Sequence, residues 1–453
     1  MVALPTSCAT DAMASHENVD DGALYRRVAA RLMPLLLLCY VVSNLDRINV
    51  SFAKLEMMSA LKLSDAVYGM GAGLFFVGYA AMEVPSNWML DRVGARIWIA
   101  RILLTWGLLS AAMALVYSAY SFYGIRFALG IAEAGLFPGV MYYLTFWFPR
   151  SRRATITSIF YLAVPIAGVS GSVVSGFIMS EMDGFLSLAG WQWMFILEAA
   201  PAVLLAPVVY FTLPDHPTDA GWLSKAEQQR LDDNLASEQP EDHSGSVLQA
   251  LWTPRVWHLG LILFTIVLAL YGVLFYMPTL IHNAYPSTPK VVGLLTAIPY
   301  AVSVIMMLLT SRNSDRTGER RWHLAFGCLV GAVGVVLSVF TETNIVLVVI
   351  GMCLAVGGVM MNLGIYWTLA TGVFRGAQDA VSIAFVNAIG LTAGFAGPTI
   401  IGAISSWTGS TDGGMIMLAV FWLIGAALVL AYRQQPIAQQ PTVELSSAIE
   451  IRT

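Results

Sequence analysis

The stretch Asp91-Arg92-Val93-Gly94-Ala95-Arg96-Ile97-Trp98 returns half a chain length later as Asp315-Arg316-Thr317-Gly318-Glu319-Arg320-Arg321-Trp322, with the shared pattern D-R-x-G-x-R-x-W. Each copy is a short charged turn between two long apolar runs. An internal repeat of this kind predicts two halves of similar build lying side by side. Because the flanking runs are long and apolar, each half reads as a set of membrane helices, and an interface between repeated halves is where a small molecule can bind at mid-membrane.

Composition supports lipid as the solvent. The chain is 57% hydrophobic and 11% charged, with a mean hydropathy of +0.71. Soluble domains carry roughly 25% charged residues. The net charge of −4 comes with no basic tract for nucleic acid, so a nucleic-acid partner is not expected. Cys8, Cys39, Cys328 and Cys353 show no paired spacing, and three of them lie in apolar runs. No disulfide, metal or cofactor is therefore expected. The six histidines lie outside helix centres, which argues against a buried histidine relay.

A helix of about 20 apolar residues crosses the hydrocarbon core. On that measure twelve spans are predicted near 32–53, 67–90, 97–117, 119–147, 154–180, 191–213, 257–283, 291–311, 323–341, 344–370, 380–407 and 414–432. Basic residues set the orientation. Arg26, Arg27, Arg31, Arg92, Arg96, Arg101, Arg150, Arg152, Arg153, Arg312, Arg316, Arg320, Arg321, Arg375 and Arg433 fall on one side, against Lys54, Lys62 and Lys290 on the other. Both termini are thus expected in the cytoplasm. Residues 1–25 read as a disordered cytoplasmic tail without a cleaved signal peptide. Residues 26–213 form the N-terminal six-helix half, and 214–256 a cytoplasmic linker. Residues 257–432 form the C-terminal half, and 433–453 a second cytoplasmic tail. Within the linker, Ser224-Lys225-Ala226-Glu227 is a capping box that starts a short helix, with Leu231 and Leu235 as its apolar stripe.

A charged group at the bilayer centre costs roughly 2.5–3.5 kcal/mol on insertion scales, so such residues are functional candidates. They are unevenly placed: Asp46 and Arg47 in span 1, Glu83 in span 2, Arg126 and Glu133 in span 4, and Glu198 in span 6, with no Asp, Glu, Lys or Arg inside spans 7 to 12. Helical rise places Asp46, Tyr79 and Glu133 near mid-membrane. Asp46 and Arg47 point about 100° apart, so one can face a central cavity while the other contacts a neighbouring helix. Arginines suit a carboxylate ligand. Carboxylates suit protons, because burial favours their neutral form and a nearby arginine the charged one. The alternative is that Asp46, Arg47, Arg126 and Glu133 are two buried pairs that hold spans 1 and 4 together. Glu83 and Glu198 suit helix packing or gating as well as a site. In the second half, Tyr271, Tyr276, Asn362, Tyr366 and Asn387 are neutral polar candidates, each of which also reads as a packing residue. Glycines such as Gly168, Gly171 and Gly176 in span 5, and Gly390, Gly394, Gly397 and Gly402 in span 11, mark close helix approach.

The twelve-span plan and the duplicated turn resemble the major facilitator superfamily. Asn44-Leu45-Asp46-Arg47-Ile48-Asn49, Glu83-Val84-Pro85-Ser86-Asn87, Arg126-Phe127-Ala128-Leu129-Gly130-Ile131-Ala132-Glu133-Ala134-Gly135, Tyr143-Leu144-Thr145-Phe146-Trp147-Phe148-Pro149 and Gly190-Trp191-Gln192-Trp193 narrow the likeness. They look like the anion:cation symporter family, in particular its bacterial tartrate, phthalate and hydroxyphenylacetate branch. The resemblance implies an all-α major facilitator fold in a bacterial inner membrane. It also implies a monomer that imports a small organic anion with protons. By that resemblance Asp46 and Glu133 would carry protons. Arg47, Arg126 and Tyr79 would face the anion, with Asn387 and Tyr271 contributing from the other half. Asp91, Arg92, Asp315 and Arg316 in the two turns would gate the cytoplasmic side. Two departures stand out. Asn87 begins the first turn where the superfamily has Gly, a change this symporter family often shows. Span 5 carries Val164 and Pro165 where some sugar-acid members have a glutamine, which favours a less hydroxylated or aromatic acid. Exchange or export of an organic anion, and a transporter-like receptor, are the rival functions. The chain has no G-x-x-x-x-G-K-[ST] phosphate loop, so ATP-driven transport is disfavoured.

Overall fold

The computed structural model describes residues 20–236, 253–371 and 377–432. Twelve helices in it are long and apolar enough to cross a membrane. They are span 1 Asp21–Ala60, span 2 Asp65–Val93, span 3 Ala95–Leu115, span 4 Ala119–Thr145, span 5 Ile159–Glu181 and span 6 Gly190–Thr212. The second half comprises span 7 Pro254–Ala284, span 8 Pro289–Thr317, span 9 Arg321–Phe340, span 10 Ile345–Ala370, span 11 Phe385–Thr408 and span 12 Asp412–Ala431. Every predicted span is present. Helices are the form in which an apolar segment satisfies its own backbone in lipid. With twelve spans, the chain enters span 1 and leaves span 12 at the same end of the bundle, here called the terminal end.

Span 1 starts earlier than its apolar run. Asp20 caps it, its carboxylate accepting from the Gly22 amide at 2.8 Å, so the helix begins inside the stretch expected as tail. The glycine of the repeat has a local cause. Gly94 stops span 2 at φ 92° and Gly318 stops span 8 at φ 69°, a backbone region open to glycine at little cost.

At the end away from the termini the halves are packed together. A Cβ on Gly69 of span 2 would lie 2.2 Å from the carbonyl oxygen of Pro398 in span 11, and one on Gly176 of span 5 would lie 2.4 Å from that of Pro289 in span 8. Only glycine permits these approaches. Polar contacts reinforce the seam. Lys54 of span 1 is buried, paired with Asp65 of span 2 at 2.9 Å and placed over the Tyr276 ring of span 7 at 4.4 Å. Asp65 also accepts from Ser405 of span 11 at 2.5 Å.

The linker helix Lys225–Ala236 forms behind the expected capping box, with Ser224 N–H donating to Glu227 at 2.9 Å. It is more than a tether. Arg230 holds Asp21 through two hydrogen bonds of 2.8 and 3.0 Å, Arg27 holds Glu227 at 2.6 Å, and Leu231 is fully buried. These contacts fasten it to the first turns of span 1. The linker segment 237–252, both tails, Arg375 and Arg433 lie outside the described residues.

A two-lobed cavity between the halves as candidate functional site

Span 4 is not one continuous helix. It breaks after Glu133, where Gly135 takes φ 87°, and resumes at Leu136. The carbonyl of Ala134 freed by the break accepts from the Ser86 hydroxyl at 2.7 Å, and Ser86 in turn accepts from the Trp98 indole at 3.0 Å. The break is thus supported by spans 2 and 3, and it sets Glu133 on the last turn of a half-helix at mid-membrane. Interrupted helices of this kind line the sites of many secondary transporters.

Glu133 is fully buried, and its Oε1 receives three donors. Arg47 gives two, from Nε at 2.9 Å and Nη2 at 2.6 Å, and the Ser43 hydroxyl gives the third at 2.7 Å. Oε2 has no hydrogen-bond partner. Arg47 Nη1 turns the other way and donates to the Tyr271 hydroxyl of span 7 at 3.3 Å, which carries the guanidinium across the seam between the halves. Its face lies over the Tyr79 ring at 5.4 Å and the Phe75 ring at 5.6 Å, a cation–π arrangement that holds the charge in place.

Two adjoining lobes open beside this group. The polar lobe, of about 100 Å³, is lined by Arg47, Tyr79, Glu83 and Asn387 among others. The apolar lobe, of about 140 Å³, is lined by Leu263, Val267, Leu270 and Leu274 of span 7 together with Val164, Leu363 and Trp367 among others. Tyr40, Arg47, Phe137, Tyr271, Asn387 and Leu391 border both lobes. Asn387 of span 11 donates to Glu83 of span 2 at 3.3 Å, which joins the halves at the cavity as the Arg47–Tyr271 contact does.

The structure brings together Arg47, Tyr79, Glu133, Tyr271 and Asn387 from the sequence reading. It places Asp46 and Arg126 elsewhere. Asp46 is turned away from Arg47, as the 100° offset requires. It accepts from Trp106 at 2.8 Å, from Asn49 at 2.9 Å and from Ser110, three neutral donors inside the first half. Arg126 does not border either lobe. Its guanidinium bonds the carbonyls of Gly71 and Ala72 in span 2 at 3.4 Å and lies 5.0 Å from the Phe75 ring, which Arg47 also approaches, at 5.6 Å. In this structure the partners of Arg126 are Phe75 and the span 2 backbone. The expected pairing of spans 1 and 4 forms once, between Arg47 and Glu133.

The turn residues stay within their own halves. Asp91 accepts from the Tyr142 hydroxyl at 2.6 Å, Arg92 stacks on Trp88 at 3.8 Å, Asp315 pairs with Arg320 at 2.7 Å, and Arg316 is exposed. Among the other polar candidates, Tyr276 donates to the Pro398 carbonyl and Tyr366 to the Leu259 carbonyl, while Asn362 donates to Cys328 and leaves its Oδ1 without a hydrogen-bond partner; none of the three borders either lobe. Glu198 accepts from Ser175 at 2.6 Å inside the first half and borders neither lobe.

Sequence reading left Glu83 open between packing, gating and a site, and the structure places it in the lining; it missed Tyr40 and the aromatic wall of Phe137, Tyr161 and Trp367. A signal existed for one of these. Tyr40, Asn44 and Arg47 are spaced four and three residues apart, one helical face, and Asp46 falls off that stripe. Among the described residues no group of His, Cys, Asp and Glu is arranged to hold a metal ion.

With this geometry in view, the chain was compared with known proteins. The family model of the Major Facilitator Superfamily matches residues 36–398. The chain belongs to that superfamily. It is 44% identical over 412 residues to a putative tartrate transporter of Agrobacterium vitis, covering 90% of this chain and 94% of that one. It is 39% identical over 414 residues to a quinolone resistance transporter of Acinetobacter baumannii, covering 90% and 94%. The fold matches the xylose transporter XylE of E. coli in a partially occluded inward open conformation, with a TM-score of 0.71 at 17% identity, over 91% of this chain and 99% of that one. The protein is a multi-pass membrane transporter of this superfamily, not an enzyme.

Proposed function

We propose that this transporter imports a small organic carboxylate together with protons across a bacterial inner membrane, by alternating access of its two halves. The observation that carries this reading is the position of Arg47. Its guanidinium is the cationic group among the residues lining the cavity, and Glu133 already holds two of its N–H groups.

A carboxylate ligand and the Glu133 carboxylate compete for the same donors. A proton on Glu133 removes its charge and frees Arg47 for the ligand, so anion and proton binding help each other. Leaving the buried arginine without either partner costs several kcal/mol, so the empty, unprotonated site keeps its ion pair. Tyr271 and Asn387 lie where they can fix the ligand from the second half, and Tyr79 supports the guanidinium face. Asp46, held by neutral donors, is a second proton site. Arg126 steadies Phe75 and span 2 behind the site in this state. The terminal end is cytoplasmic on the basic-residue rule. When that side closes, Asp91, Arg92, Asp315 and Arg316 come into reach of the other half. The carboxylate reading agrees with the relative named as a tartrate transporter.

The relative named for quinolone resistance favours a second reading, export or exchange of an organic acid without net proton uptake. Proteoliposomes enclosing a pH dye separate the two. Adding an accepted carboxylate outside should acidify the lumen faster than in protein-free vesicles. Substrate counterflow without that extra acidification would establish exchange.

A further inference from the structure

The two copies of the repeated turn close differently. In the first half Trp98 donates to Ser86 at 3.0 Å, which joins span 3 to span 2, and Arg101 lies over the Trp98 ring at 3.9 Å. One repeat length on, the equivalent residues are Thr310 and Trp322. They do not bond to each other. Both line an open groove of about 430 Å³ between spans 8 and 9 at the terminal end, and Trp322 is 65% exposed. We infer that this groove binds one anionic phospholipid of the adjacent leaflet, with its phosphate at Arg312 and Arg316 and an acyl chain against Leu309 and Phe326. The site lies outside the central cavity and does not depend on what that cavity carries.

The groove is graded from the membrane surface inward. At its rim Asn313 of span 8 and His323 of span 9 meet, with Oδ1 and Nε2 3.2 Å apart. About one turn deeper on each helix come Leu309 and Phe326, both exposed. Trp322 stands beside the rim, and an indole favours the level of the headgroups. Polar rim, amphipathic ring and apolar floor follow the order of a phospholipid from headgroup to chain.

Charge selects the headgroup. Arg316 lies three residues beyond Asn313 and seven beyond Leu309, so it continues the groove face of span 8, and Arg312 flanks it. Both arginines are exposed, and neither has a hydrogen bond or ion pair among the described residues. The carboxylates nearby are engaged. Asp315 pairs with Arg320 at 2.7 Å, and Glu319 accepts from the Arg321 and Trp322 amides at 2.9 and 3.3 Å. A phosphodiester that brings no ammonium of its own therefore fits better than a zwitterionic one. Basic pockets between membrane helices hold anionic headgroups in this way. The equivalent positions of the first half, Trp88 and Arg92, stack on each other at 3.8 Å and offer no such pair of cations.

The test is native mass spectrometry of the purified full chain in detergent, titrated with dioleoylphosphatidylglycerol or dioleoylphosphatidylcholine. The first phosphatidylglycerol should bind about tenfold or more tighter than the first phosphatidylcholine. Removing Arg312 and Arg316 together, as Arg312→Ala/Arg316→Ala, should weaken it by about fivefold per arginine. Trp322→Ala should weaken it by a smaller factor. Arg31→Ala removes an exposed cation at the same end of span 1 and should leave the affinity unchanged. All these side chains are exposed, so each variant should melt as the wild type does; if the double variant does not fold, Arg316→Ala alone serves. Equal affinity for the two lipids, no loss in the arginine variants, or an equal loss in Arg31→Ala would overturn the site. Inorganic phosphate displacing phosphatidylglycerol at similar concentration would overturn the lipid in favour of a soluble anion. A dimer that forms as the lipid leaves would overturn it in favour of an interface between two copies.

Discussion

The two halves repeat the same turn and the same six-span plan, yet they divide the chemistry unequally. The first half holds the charged groups of the span interiors, Asp46, Arg47, Glu83, Arg126, Glu133 and Glu198, together with buried Lys54 near the end of span 1. The second half offers Tyr271, Asn387 and an apolar wall. Concentrating charge on one side of the cavity lets each buried group find a partner or donors close by, as Arg47 and Glu133 do. It also means that one half handles charge while the other selects shape. Substitutions that respect or cross this division can test it.

The largest effect is expected at Arg47. Truncating one member of a buried, hydrogen-bonded charge pair costs about 2–5 kcal/mol. Arg47→Ala should therefore weaken carboxylate binding by about a hundredfold or more. Arg126→Ala should act differently, because that side chain holds the Gly71 and Ala72 carbonyls and not the cavity. It should lower thermal stability first, with a smaller change in affinity measured on protein that remains folded. An equal loss of affinity in both variants, with Arg126→Ala as stable as wild type, would show that Arg126 reaches the ligand in another conformation.

The next effect concerns the two proton sites within the charged half. Glu133→Gln removes the competitor for Arg47. Proton-driven accumulation should be lost while counterflow survives, and ligand affinity should no longer vary with pH. In the wild type the affinity should rise as pH falls, because the protonated form of Glu133 is the one that releases the guanidinium. Asp46→Asn should also abolish accumulation, with an added stability cost of about 1–3 kcal/mol. The new amide faces Trp106, Asn49 and Ser110, which all donate, so one contact becomes donor against donor. Unchanged pH dependence in Glu133→Gln, or normal accumulation in Asp46→Asn, would remove that residue from proton coupling.

The spans were legible because a run of about 20 apolar residues has few alternatives in water. The opposed directions of Asp46 and Arg47 followed from helical geometry alone. The break at Gly135 did not, since Gly135 and Pro138 stand in an apolar run that also reads as continuous helix. The burial of Lys54 was hidden for a related reason. Span 1 extends to Ala60, beyond its most apolar stretch, so a lysine that reads as a loop residue lies inside the bundle against Asp65 and Tyr276. Arg126 and Glu133 do share a helix, but the sequence does not tell which neighbour fills the space in front of each. Contacts with neighbouring spans decide that, and here the Gly71 and Ala72 carbonyls of span 2 take the Arg126 guanidinium.

The smallest effect is expected at the turns, where the two halves are most alike in sequence. Asp91 and Asp315 open equivalent copies of the repeat, yet one accepts from Tyr142 and the other pairs with Arg320. In this conformation Asp91→Asn keeps an oxygen for the Tyr142 hydroxyl, so folding and ligand binding should stay near wild type. The difference should appear when the terminal end closes and a carboxylate there meets the positive end of a helix from the other half. Such contacts contribute about 0.3–1 kcal/mol, which corresponds to a two- to fivefold slowing of transport. The population should shift toward the form open at the terminal end. Cysteine labelling from the cytoplasmic side, at a position lining the cavity, should rise by a similar factor. Asp315→Asn should change both measures less, because its exposed pair with Arg320 is worth little. If labelling and transport in Asp91→Asn both match wild type, the repeated turn serves topology and not gating. The functional asymmetry of the two halves would then be confined to the cavity.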